Sequence, residues 1–321
     1  MWKKTFHTVS LILLLLIASP FMVTGESTVE VMALSGTTGL SLVKLMEAEP
    51  TIYPGVTFNY TVLKSPDQIS AKIISGEADI AAVPTNLASI LYNRGIPLQL
   101  AAITNWGVMY VVGSASTISS WQDLKGQEIG VTGKGSTPDL LFRYFLTANG
   151  IDPEEDVTIR YYASPAELTQ LVIADKVRLA TLPEPWVTEA LSRNLSLTVL
   201  LDYQQTWQQL EQRSESYPQS ALVVKTQLAK ENPAVVKAFL QAASDSNAWV
   251  VTQPSAAGLL AEKYLSISAP AATAAIPRCN LRLDEAYQVQ AEIDYFLEKL
   301  YSFQPQSIGG KLPDEEFYLQ K

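Results

Sequence analysis

Short apolar runs alternate with amphipathic stretches along the chain, and that alternation predicts strands and helices in turn. Val29 to Leu34 reads as a strand, and Leu40, Leu42, Val43 and Met46 give the next segment helical spacing. Val56 to Leu63 is a second strand. Ser65-Pro66-Asp67 then opens a helix, with a serine oxygen for the orphan amides and proline at the first helical position. Gly76 stops it. Asp79 to Val83 is almost wholly apolar, as a strand buried on both faces should be, and Leu98 to Ile103 is a fourth strand. Strands and helices alternating at this spacing predict right-handed βαβ units on a parallel sheet, an α/β fold.

The pattern then repeats. Gly36-Thr37-Thr38 returns 99 residues later as Gly135-Ser136-Thr137, Ser65-Pro66 as Ser164-Pro165, and Ile74 to Pro84 as Ile173 to Pro183. A repeat at a fixed offset predicts two lobes of one plan with a cleft between them. Strands of the second copy are expected at Glu128 to Thr132, Val157 to Tyr161, Val177 to Leu182 and Leu195 to Leu201, with helices from Pro138 to Ala148 and Glu167 to Ala174. Val108 to Val112 and Ala221 to Val224 read as the strands that cross between lobes. The first lobe is expected to take residues 26–108 and 220–321, the second 109–219. Beyond Lys225 the pattern is helical throughout, over Pro233 to Val251, Ala256 to Tyr264 and Asp284 to Tyr301, so a tail without strands is expected on the first lobe.

Residues 1–25 have the make-up of an export signal: Lys3 and Lys4, an apolar stretch from Leu11 to Ala18, and a plausible cleavage point after Val23-Thr24-Gly25. The apolar stretch falls well short of the ~20 residues that span a bilayer. An exported, soluble, periplasmic protein is expected, with no cysteine after the apolar segment to take a lipid. The one cysteine, Cys279, excludes an internal disulfide and is most simply a small buried hydrophobe. Cleavage would leave 21 basic against 32 acidic residues, which argues against nucleic acid or an anionic membrane as partner. It would also remove His7, the one histidine. Without imidazole no Ser-His-Asp or Cys-His arrangement forms and zinc loses its usual ligands, while no carboxylate pair stands out for acid–base work. The chain therefore reads as a binding protein and not an enzyme, with no metal and no cofactor.

In open parallel sheets, ligands sit where strand carboxyl ends meet helix amino ends. Ser35, Gly36, Thr37, Thr38 and Gly39 hold such a place in the first copy, and Gly135, Ser136 and Thr137 in the second. Helix-start amides and hydroxyls suit an anion or a polar group, although the same residues would equally serve to cap their helices. Glycine follows Lys134 where a nucleotide loop needs serine or threonine, and no GxGxxG occurs, so neither ATP nor a dinucleotide is indicated. The third strands end at equivalent points, Pro84-Thr85-Asn86 and Pro183-Glu184-Pro185-Trp186. Thr85, Asn86 and Glu184 offer hydrogen bonds and a charge there, and Trp186 a stacking face, with core packing as its competing role. Trp106, Gly107 and Tyr110 stand beside the first crossing with the same two roles open.

Ser75-Gly76-Glu77-Ala78-Asp79-Ile80-Ala81, the segment Asp123 to Val131 (DLKGQEIGV) and Gly135-Ser136-Thr137 resemble the substrate-binding proteins of ABC importers. The similarity is to the NMT1/THI5-like group that handles nitrate, sulfonates, taurine and thiamine-precursor pyrimidines, and it covers about residues 29–265. It implies a type II periplasmic-binding-protein fold: two lobes, each a mostly parallel sheet flanked by helices, joined by two crossover strands. Such a protein, a monomer, closes on a small-molecule solute and delivers it to the permease subunits of the importer. The resemblance implies ligand contacts at Ser35 to Gly39, Thr85, Asn86, Trp106, Gly107, Gly135 to Thr137, Glu184 and Trp186. Two ligand classes fit. A small oxyanion or sulfonate suits the hydroxyl-rich loops, whereas an aromatic nitrogen heterocycle suits Trp186 for stacking and Glu184 for an amino group. The charge of Glu184 tips the reading towards the heterocycle or a related organic solute, although the first loop lacks the tryptophan that some pyrimidine-precursor binders carry. An exported sensor domain would share the fold, and so would pyrimidine-synthesising enzymes, but these use a histidine that the processed chain lacks.

Overall fold

The strands in chain order are β1 (Ser27–Leu34), β2 (Val56–Leu63), β3 (Ile80–Pro84), β4 (Leu98–Trp106), β5 (Met109–Gly113), β6 (Glu128–Thr132), β7 (Thr158–Tyr162), β8 (Leu179–Pro183), β9 (Thr198–Asp202), β10 (Pro218–Lys225) and β11 (Leu281–Glu285). The computed structural model describes residues 27–47, 51–114 and 118–321, and the expected export signal lies outside them. One sheet has the order β2-β1-β3-β10-β4-β11, the other β7-β6-β8-β5-β9. Apart from β11 the two orders correspond strand for strand. The repeat in sequence is therefore a repeat in topology.

In each sheet the strand that arrives from the other lobe runs against both of its neighbours. β5 pairs antiparallel with β8 and β9, and β10 pairs antiparallel with β3 and β4. The crossing strands are thus absorbed into the sheets they enter. The chain itself passes between lobes at Gly107-Val108 and again between the helix Tyr203–Glu211 and Pro218.

Two expectations are corrected. The tail contains a strand: β11 pairs antiparallel with β4, and Trp106 Nε1 donates to Asp284 Oδ2 at 2.9 Å. Without it β4 would present an unpaired edge, which proteins generally cover. The apolar positions from Ala286 onward consequently divide between a 3₁₀ turn, Ala286–Gln288, and a helix, Gln290–Phe303. In the first lobe the α-helix is confined to Thr37–Leu40, after which Leu42, Val43, Leu45 and Met46 donate to carbonyls three residues back. Packing requires the glycine at position 39: a Cβ there would lie 2.7 Å from the Leu34 carbonyl oxygen and 2.8 Å from Leu265. The tighter turns still bury Leu40, Leu42, Val43 and Leu45.

The largest apolar cluster is continuous across the crossings, from Met32 and Leu91 through Trp106 and Met109 to Phe142, Phe145 and Trp207. Trp207 of the second lobe meets Phe296 of the tail helix edge-on at 5.8 Å, and Tyr217 lies between them in the same group. The tail therefore packs on both lobes. Its helix Ala269–Ala275 also lies against the helix Trp186–Arg193.

Gly107 sits where the chain first crosses. Its N–H donates to the Tyr217 carbonyl at 3.0 Å, and a Cβ would lie 2.4 Å from Ser216 Oγ and 2.7 Å from the Tyr217 ring. Gly107→Ala is expected to lower the urea midpoint, with a cost of about 1–3 kcal/mol from overpacking. An unchanged midpoint contradicts a crossing packed this tightly.

Candidate functional site

The carboxyl ends of both sheets converge on the contact between the lobes, and the two glycine loops lie there. Trp186, just after β8, comes down on the first loop: a Cβ added to Gly36 would lie 3.8 Å from its indole Nε1. Asn86, just after β3, reaches the second. Its Nδ2 donates to the Gly135 carbonyl at 3.2 Å and the Ser307 carbonyl at 3.0 Å, while its Oδ1 accepts from Thr137 N at 3.1 Å and Thr137 Oγ1 at 2.9 Å. Each lobe's glycine loop is thus covered by the residue that follows the other lobe's third strand. This reciprocity is what a duplicated unit closing on itself about a pseudo-twofold axis produces.

The expected site residues divide sharply. Gly36, Asn86, Gly135, Thr137 and Trp186 meet at the lobe contact. Thr37, buried, starts the helix beneath Gly36. The remaining loop hydroxyls are engaged within the protein: Ser35 Oγ donates to the Leu265 carbonyl at 2.7 Å, Thr38 Oγ1 lies 3.0 Å from Ser220 Oγ, and Ser136 Oγ donates to the Gly133 carbonyl at 2.5 Å. Asp139, buried, holds the second loop by accepting from Gly135 N at 2.8 Å. Trp186 belongs to an apolar cluster with Leu40, Val43, Leu265 and Ile276. Trp106 and Gly107 stand apart, at the crossing, where the Arg282 guanidinium lies 4.7 Å over the Trp106 ring.

Glu184 is fully buried. Its Oε2 accepts from Thr188 N at 3.1 Å and Thr188 Oγ1 at 2.8 Å, and its Oε1 lies 2.5 Å from Arg278 Nη2 of the tail. Burial pushes its carboxyl above the usual range, and Arg278 and Thr188 offset part of that rise. The pairing answers the charge from within the chain, so the argument for a solute amino group at Glu184 loses its basis. Arg278 was not legible in the sequence, because only packing of the tail across the second lobe brings it there.

Several buried polar atoms at the strand ends have no hydrogen-bond partner among the described residues: Thr85 Oγ1, Asn105 Oδ1 and Gln219 Oε1 in the first lobe, Thr181 Oγ1 and Tyr203 Oη in the second. The first three stand at the same end of the sheet, Gln219 and Thr85 next in the chain to Ser220 and Pro84, which pair, and Asn105 opposite Ser220. A buried polar group left unpaired costs about 1–3 kcal/mol, so such groups call for a ligand or ordered water. Of these five only Thr85 was expected from the sequence.

A family model described as the NMT1-like family matches residues 41–264. The chain belongs to that family. Among curated proteins it is similar to the nitrate/nitrite binding protein NrtA of a Nostoc species, 25% identical over 134 residues that make up 42% of this chain and 28% of that protein. NrtA of Synechococcus elongatus is 28% identical over 37% of this chain and 25% of its own length. The chain thus matches about a quarter of the length of these relatives. Among solved structures, an ABC transporter protein from Parabacteroides distasonis is 28% identical and superposes with a TM-score of 0.77, covering 92% of this NMT1-like chain and 99% of its own. The periplasmic aliphatic sulphonate binding protein SsuA of Escherichia coli shares the fold at 18% identity, with a TM-score of 0.74 and 92% of both chains covered. The two-lobed architecture is that of periplasmic binding proteins. Among the described residues no helix is long and apolar enough to cross a membrane.

Proposed function

We propose that this NMT1-like chain is an exported solute-binding protein of an ABC importer, acting in the periplasm as a monomer and without catalysis. It closes its lobes on a small organic solute, an aromatic nitrogen heterocycle or a sulfonate- or nitrate-type oxyanion, and hands it to the permease. One observation carries this reading: the glycine loop of each lobe is covered by a residue of the other, while unpaired polar atoms remain buried at the strand ends beside that contact. Hinged lobes with unsatisfied groups at their junction suit a ligand that completes the closed form. The nitrate- and sulphonate-binding names of its relatives support the same role.

A thermal-shift screen of nitrate, alkanesulfonates and aminopyrimidines tests it. A cognate solute at 100 times its Kd is expected to add about 2.7 kcal/mol of stability. Thr85→Val, which removes one unpaired hydroxyl at nearly constant volume, is expected to weaken that solute about tenfold. A solute bound equally well by Thr85→Val removes Thr85 from the site, and a screen extended to small solutes generally that yields no binder contradicts the function.

A further inference from the structure

Both places where the chain crosses between lobes are gripped by the tail. At the first, Trp106 N donates to the Asn280 carbonyl at 3.1 Å, and Asn280 Nδ2 donates to the Gly107 carbonyl at 2.5 Å. At the second, the returning segment carries Glu211, Arg213 and Glu215, charges that alternate in sign at every second residue. Each meets its opposite on the tail. Glu211 Oε2 lies 2.7 Å from Lys299 Nζ, Arg213 Nη2 lies 3.6 Å from Glu292 Oε1, and Glu215 Oε2 lies 3.2 Å from Nη2 of Arg282, which Asp284 also holds.

Glu211 anchors the set. Its side chain is 2% exposed, and it also accepts from Tyr295 Oη at 2.8 Å and from Tyr144 Oη. Tyr144 lies on the second-lobe helix Thr137–Ala148, whereas Tyr295 and Lys299 lie one turn apart on the tail helix Gln290–Phe303. One carboxylate therefore joins two helices of the second lobe to the tail. Burial pushes its carboxyl up, but Lys299, Tyr144 and Tyr295 outweigh that and hold it below the usual range. If the tail moved away, this buried carboxylate would lose its counter-charge, a costly step, whereas the two outer pairs are half-exposed and contribute little each. None of these groups belongs to the lobe contact at Gly36, Asn86, Gly135, Thr137 and Trp186.

We propose that the tail is an electrostatic clasp on the hinge: Lys299, supported by Glu292 and Arg282, holds the return crossing through Glu211, Arg213 and Glu215, and so sets how readily the lobes part without touching the solute. The inference rests on the two-lobed binding reading and adds the element that governs its closure. Hydrogen exchange and small-angle scattering on the solute-free full chain test it. Two amides report on the crossings, since Gly107 N donates to the Tyr217 carbonyl at 3.0 Å and Arg213 N to the Gln208 carbonyl at 3.2 Å. Lys299→Met keeps an apolar stem and removes the charge, and it is expected to speed exchange at both amides about tenfold and to enlarge the radius of gyration. Lys299→Arg, which restores the charge, is expected to exchange and scatter like the native protein. Should Lys299→Met fail to fold, the half-exposed pair of changes Glu215→Gln and Glu292→Gln is expected to speed the same amides by a smaller factor. Native exchange rates in the variant that folds overturn the proposal, as do rates raised equally in Lys299→Met and Lys299→Arg. Neither measurement needs a solute, so failure of the clasp is distinct from failure of the binding function, which shows as a screen without a binder.

Discussion

Arg278→Ala is expected to destabilise the folded protein by about 2–3 kcal/mol at pH 8 and by much less at pH 4.5. Removing one partner of a buried ion pair typically costs 3–5 kcal/mol, and the half-exposed position of Arg278 reduces that figure. The pH dependence follows from the direction of the Glu184 shift. Its carboxyl is raised by burial even with Arg278 present, so the folded protein holds this proton more tightly than the unfolded chain. Stability from this group is therefore full below the ordinary carboxylate pKa and declines as pH rises through the folded value. Losing Arg278 removes the charge that restrains the shift, so the decline extends higher and deepens. Urea unfolding of the native and variant proteins at the two pH values measures the difference. Arg278→Ala combined with Glu184→Gln should recover much of the loss, since an amide needs no counter-charge. A penalty equal at both pH values would mean that the guanidinium contributes packing and not charge.

Asn86→Ala is expected to open the lobes. The side chain makes four hydrogen bonds from a fully buried position, three of them to the second lobe's loop. At about 1 kcal/mol each, losing the three interlobe bonds shifts the closed-to-open ratio by roughly 100-fold. Solute affinity should fall by a similar factor, and small-angle scattering of the solute-free variant should show a larger radius of gyration. Thr137→Val separates this effect from damage to the first lobe, because it removes Thr137 Oγ1 and leaves the Asn86–Ser307 bond intact. It should expand the protein in the same direction by a smaller amount. Variants that scatter like the native protein contradict a closing role for Asn86.

The architecture was legible because it is repeated: periodic strands, helix starts at Ser65-Pro66 and Ser164-Pro165, and glycine loops at a constant offset all carry local signals. Both helix starts are capped as those signals require, Ser65 and Ser164 each accepting from the backbone three residues on. The tail was less legible. Leu281 and Leu283 alternate with polar residues as a strand does, but the run is too short to stand out in a helical tail, and the open edge of β4 is what pairs it. The site was legible in position but not in chemistry. Asn86 and Trp186 have the side chains of a polar and a stacking contact, yet four hydrogen bonds and an apolar cluster respectively occupy them. Arg278, Asn105 and Gln219 carry no motif at all and become site residues through the tail's path and the β10 register. Strand order can be read from periodicity, whereas the partner of a polar side chain depends on what the rest of the chain brings beside it.

On the proposed function, the lobes close on a solute held between them. Small-angle scattering of the native chain, with and without a saturating solute from the thermal-shift screen, tests it most directly. A smaller radius of gyration is expected with the solute, and for Asn86→Ala a larger starting value that contracts only at much higher solute concentration. Native curves that coincide with and without a bound solute would contradict it.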